Sequence, residues 1–71
     1  MTDPELILAA VEASGLSARR FAERMMARDE RTIRRWSAGD APIPETARAR
    51  LLWLLELPES KRVRLVELLD G

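Results

Sequence analysis

The chain contains no cysteine and no histidine. Without cysteine there is no disulfide and no thiolate metal site. Without histidine the commonest metal ligand and the commonest neutral-pH acid–base group are missing. Both absences argue against zinc-dependent folding. Glycine and proline are scarce, at three and four residues, and no glycine-rich phosphate loop occurs. No Ser-His or Cys-His set exists, and no acidic residue pairs recognisably with a base or nucleophile. The Glu67/Asp70 spacing suits a solvated helix face better than a metal site. The expectation is a protein that is not an enzyme, takes no small-molecule substrate and holds no metal or cofactor. No apolar run approaches the roughly 18 residues of a membrane span. Met1-Thr2-Asp3-Pro4 also lacks the basic start of a secretory signal. A soluble, cytoplasmic protein with no membrane partner is expected.

An excess of charge of one sign is absent too, with 12 basic residues against 12 acidic. The distribution is uneven. Residues 1–16 hold Asp3, Glu5 and Glu12 and no base. Residues 17–40 hold seven arginines against four acids, and the remainder is balanced. Eleven of the 12 basic residues are arginine, whose planar fork of donors suits phosphates and guanine edges better than a lysine does.

At 71 residues the chain reads as one domain, 1–71, of a size that buries only about 60% of its unfolded surface. It is rich in Ala, Leu, Arg and Glu and shows no period-2 alternation, so an all-α bundle of about five helices is expected. The first helix starts at Thr2 or Asp3, through a Thr2–Glu5 capping box or an Asp3 cap with Pro4 behind it. Its apolar stripe is Leu6, Ala9, Ala10 and Ala13, with Leu8 or Val11 alongside, and Ser14-Gly15 stops it. Ser17 caps a second helix, with Leu16 and Phe21 spaced as a hydrophobic staple. Phe21, Ala22, Met25 and Met26 turn inward, and Ala22 is small enough for close helix approach. Ala27-Arg28 is the turn. Asp29 caps a third helix over 29–38, with Ile33 and Trp36 inward and Glu30, Arg31, Arg34, Arg35 and Ser37 outward. Gly39 ends it, and Asp40-Ala41-Pro42-Ile43-Pro44 is a stiff connector anchored by Ile43. A fourth helix is expected over 45–57, apolar on two faces (Ala47, Leu51, Leu54, Leu55 and Ala49, Leu52, Trp53). After a break at Pro58-Glu59-Ser60 comes a fifth, over 60–69, with Val63, Val66 and Leu69 in line.

Leu16-Ser17, Phe21-Ala22, Thr32-Ile33-Arg34-Arg35-Trp36, Gly39, Pro42-Ile43-Pro44 and the apolar stretch 51–55 occur in an order that resembles the repressor-like helix-turn-helix family (lambda repressor and Cro type). The chain departs from that pattern at two points. Ala27 or Met26 stands where the family has a turn glycine, and the Ala22-to-Trp36 spacing is one residue longer, which reads as a longer turn. The resemblance implies a sequence-specific DNA-binding transcriptional regulator, a repressor of bacterial or phage type, with a central helix-turn-helix that reads the major groove of double-stranded DNA. In such motifs the second helix meets base edges and the first crosses the backbone. That places Glu30, Arg31 and Arg35 at bases, and Ser17, Arg19, Arg34 and Gly39 at phosphates. It also implies a homodimer, for which Leu52, Trp53, Val63 and Val66 on the last two helices are the candidate surface. Two alternatives stay open on the residues themselves. The zero net charge suits an antitoxin or anti-regulator module that applies the arginine face to an acidic partner protein. The same arginines could also merely solubilise a helical scaffold that binds no nucleic acid.

Overall fold

The first helix, α1 (Asp3–Ser14), is defined at both ends by hydrogen bonds between residues close in sequence. The Thr2 hydroxyl accepts from the Glu5 N–H, and the Glu5 carboxylate accepts from both the N–H and the hydroxyl of Thr2. These bonds hold the Glu5 carboxyl below its ordinary pKa. At the other end Gly15 takes a left-handed conformation (φ 73°) and its N–H closes on the Glu12 carbonyl. The capping box thus wins over an Asp3 cap, and the Asp3 carboxylate is left for another task. The computed structural model describes all residues, 1–71.

Four further helices follow. In α2, Ala18–Arg20 is an ordinary α-helical turn and Phe21–Met25 is wound wider, as a π-helix. Then come α3 (Glu30–Ala38), α4 (Glu45–Glu56) and α5 (Glu59–Asp70). The chain is therefore an all-helical bundle, as its composition predicts. No helix is long and apolar enough to cross a membrane.

The core is one cluster to which every helix contributes except α5, whose Leu65 packs against it from outside. Leu6, Ile7 and Ala10 of α1 are fully buried, as are Phe21 and Ala22 of α2. Met26 after α2, Ile33 and Trp36 of α3, Ile43 of the connector, and Ala47, Leu51 and Leu54 of α4 complete it. α1 sits centrally and packs on α3, α4 and α5, while α5 also packs on the π-wound end of α2. Three expectations need correction. Beside the α1 stripe Val11 packs on the core as expected, but Leu8 is exposed and Ile7 is buried in its place. Val66 is buried and so cannot belong to an outer dimer surface, whereas Leu52, Trp53 and Val63 are exposed. α5 faces the core through Val66 and Leu65, leaving Val63, Leu68 and Leu69 outside.

Two carboxylates tie distant parts of the chain together. Asp3 accepts from the Ile43 N–H at 3.0 Å and pairs with the Arg48 guanidinium. It therefore fixes the start of α1 to both the connector and α4. Asp70 accepts from Arg20 at 3.2 Å and lies 4.0 Å from Arg24, holding the end of α5 against α2. A charge-assisted hydrogen bond is worth about 1.5–3 kcal/mol. Asp3→Ala is accordingly expected to lower unfolding stability by about 1–3 kcal/mol in urea titrations. Glu12→Ala, which removes an exposed carboxylate that forms no ion pair, should change it by less than about 0.5 kcal/mol. Equal losses from the two would show that Asp3 is no clamp.

Candidate nucleic-acid interface

The geometry of the α2–α3 pair is set by its turn. Ser17 caps α2 by accepting from the Arg20 N–H at 3.2 Å. The π-wound Phe21–Met25 segment accommodates one residue more than an α-helix of the same length would. Ala27 then takes the left-handed conformation, φ 54°, and is the sole non-glycine residue to do so. The Arg28 N–H closes on the Ala22 carbonyl at 2.9 Å. A Schellman closure joins residues five apart; this one spans six. The path from Ala22 to Asp29 is thus lengthened by the winding of α2 and its closure, not only by a loop. Ala27, rather than Met26, occupies the position that glycine would fill without strain.

Asp29 begins α3 by accepting from the Thr32 N–H at 3.0 Å and from the Thr32 hydroxyl at 3.1 Å. Those bonds hold its carboxyl below the ordinary aspartate range. At the far end Gly39 (φ 79°) caps the helix, and the Asp40 N–H reaches the Arg35 carbonyl at 2.9 Å. Ile33 and Trp36, three residues apart, are buried together. Successive residues turn by 100°, so fixing that pair forces Arg31, Arg34 and Arg35 into a neighbouring outward arc.

Side-chain pairing separates the members of that arc. Glu30 and Arg34 form an i, i+4 ion pair at 2.9 Å. Arg31 and Arg35 have no carboxylate partner. The Glu30 carboxylate is thus engaged within the helix, and the two free guanidinium forks are those of Arg31 and Arg35. On α2, Arg19 pairs with Glu23 at 3.0 Å, and the two share a polar surface cleft with Ser17, Arg20 and Arg24. Ser17 and Arg19 therefore sit at the start of α2, apart from the α3 arc, and Gly39 lies at the opposite end of α3 from Glu30. The sequence reading missed Arg28. Its guanidinium lies over the Trp36 ring, 5.2 Å from the centroid, within cation–π range. An arginine beside the turn and eight residues before a tryptophan carries no periodic signal, because the left-handed turn between them brings the two together.

No group of three or more acidic, histidine or cysteine side chains is placed to hold a metal ion. Comparison of the chain with protein-family models, curated proteins and solved structures gave no match.

Two outcomes follow from the turn and the cap. An L-residue in the left-handed region costs roughly 1–2 kcal/mol, partly offset for Ala27→Gly by the freer unfolded chain. Ala27→Gly is expected to raise stability by about 0.5–1 kcal/mol in chemical denaturation. A decrease would show that Ala27 is not strained. The Asp29 cap is pH-linked. Its folded-state pKa is depressed, so its contribution is complete above the unfolded aspartate value and is lost as pH falls through the lower folded value. Asp29→Asn keeps an acceptor at the cap but does not titrate. The variant should lose less stability than wild type over that acidic window, and parallel losses would assign the pH dependence elsewhere.

Proposed function

We propose that the protein is a sequence-specific DNA-binding transcriptional regulator that lays α3 in the major groove. The observation that carries this reading is the outward arc of α3. Its inner side is locked by buried Ile33 and Trp36, and its outer side presents two unpaired arginines, Arg31 and Arg35. An α-helix fits the major groove, and an arginine fork can pair bidentately with guanine O6 and N7. Arg34, steadied by Glu30, is suited to a phosphate. Ser17 and Arg19 at the start of α2 are suited to the backbone that a first helix crosses. The resemblance to repressor-like helix-turn-helix proteins points the same way and makes repression the expected sense of regulation.

A three-turn helix contacts only a short half-site, so the working unit is a pair of chains on half-sites about one helical turn apart. Leu52, Trp53 and Val63, exposed on α4 and α5, supply the apolar surface for that pairing. Leu52→Glu should leave the protein folded and lower its sedimentation mass at high concentration. A wild type that stays monomeric at every concentration would refute the pairing.

Selection of bound sequences from a random duplex library tests recognition and identifies the half-site together. On the selected site, neutralising about four phosphates would make affinity fall with salt at a log–log slope of roughly −4. Arg31→Ala should cost about 1–3 kcal/mol there and relax the sequence preference. Arg34→Ala should weaken all duplexes alike. Failure to bind any duplex at low salt would overturn the DNA function and favour an acidic protein partner for the same arc.

A further inference from the structure

Two cavities adjoin where α4 runs past the end of α2. The first is apolar, about 210 Å³, walled by Met25, Met26, Leu51, Leu54, Leu65 and the half-exposed ring of Trp53. The second is polar, about 130 Å³, lined by Arg28, Thr46 and Ala47. Met26 and Arg50 line both, so an apolar cleft, open to solvent beside Trp53, has a polar cleft with two arginines next to it. No acidic residue lines either cavity, and neither Arg28 nor Arg50 has a carboxylate partner. Arg19, Arg20, Arg24, Arg34 and Arg48, by contrast, each lie against a carboxylate of the chain. The pair of clefts thus combines an apolar surface with two arginines that lack a carboxylate partner, Arg28 resting over the Trp36 ring.

The geometry points to a binding site for a small amphipathic anion, a hydrocarbon carboxylate whose body fills the apolar cleft and whose head sits between Arg28 and Arg50. Both arginines offer forked donors suited to a carboxylate, and the Thr46 hydroxyl adds a third. The size fits, since a cavity of roughly 150 Å³ takes benzene, and this one suits a chain of about six to eight carbons. Two flexible methionines let the wall adapt to the body's shape. Leu52 and Val63 lie outside both linings, so the site leaves most of the proposed pairing surface free. Its occupant would touch Met26 and Arg28, on either side of Ala27, and so bear on the turn that aims α3. The site itself does not depend on DNA binding.

The test is titration of the full chain with octanoate, octanol and inorganic phosphate, followed by tryptophan emission and by amide NMR shifts. Octanoate should bind saturably, shift residues 26, 28, 50 and 53, and bind about tenfold or more tightly than octanol or phosphate. Arg50→Gln, at an exposed position, should narrow the preference for octanoate over octanol, with Arg28 supplying what remains of it. Arg64→Gln, which removes an exposed charge elsewhere on α5, should change neither. Non-saturable octanoate binding, equal affinity for octanol, or phosphate alone binding as tightly would each overturn the site. So would octanoate shifts centred on Leu52 and Val63 with a change in sedimentation mass, which would place the ligand on the pairing surface.

Discussion

Everything else in the structure depends on the burial of one face of α1. Leu6, Ile7 and Ala10 lose all contact with solvent, and α3, α4 and α5 each pack on that helix. A chain of 71 residues has little apolar area to spare, so the loss of one centrally placed side chain is felt by several elements together. The capping box at Thr2, the left-handed Gly15 and the Asp3 contacts with Ile43 and Arg48 all act on this helix or its ends. The orientation of α3 inherits that rigidity. Ile33 and Trp36 belong to the same buried cluster as Leu6, Ile7 and Ala10. The position of the arginine arc is thus decided by the packing of α1 against the inner side of α3.

A second constraint acts between α2 and α3. The π-wound segment, the left-handed Ala27 and the six-residue closure from Arg28 to Ala22 form one connected distortion. Each makes sense only with the others. An extra residue within a helix widens its winding, the wider winding moves the last free carbonyl, and the closing N–H must come from one residue further on. Phe21 and Ala22 at its start and Met26 just after it are all buried, so both sides of the distortion are anchored in the core.

What could be read from the sequence divides along the same physical line. Ser17, Asp29, Gly15 and Gly39 were legible because a cap is a local device, with its partner within a few residues. The inward pair Ile33–Trp36 and the outward arginines were legible because helical spacing alone determines their faces. Ile7 was missed because α1 is apolar on much of its circumference, so spacing could not choose between it and Leu8. The same ambiguity on α5 placed Val66 outside. The Asp3–Arg48 and Asp70–Arg20 pairs bridge residues remote in sequence, and nothing in the composition of either segment announces its partner. The π winding has no residue signature.

The balanced net charge looks like an argument against an anion-binding surface until the pairs are taken out. Glu23, Glu30, Asp3 and Asp70 each lie against an arginine, and Asp29 and Glu5 are occupied as helix caps. The partnerless arginines then include Arg28, Arg31 and Arg35, close together from the turn into α3, and Arg50, which lines a cavity wall with Arg28. Exposed charges more than about 8–10 Å apart scarcely feel one another at physiological salt. An approaching anion therefore responds to the charges near the arc and not to the total of zero. The field at α3 is set by its three arginines against the ionised Asp29 cap, whose charge Arg31 feels, and against Glu30, which pairs with Arg34 alone.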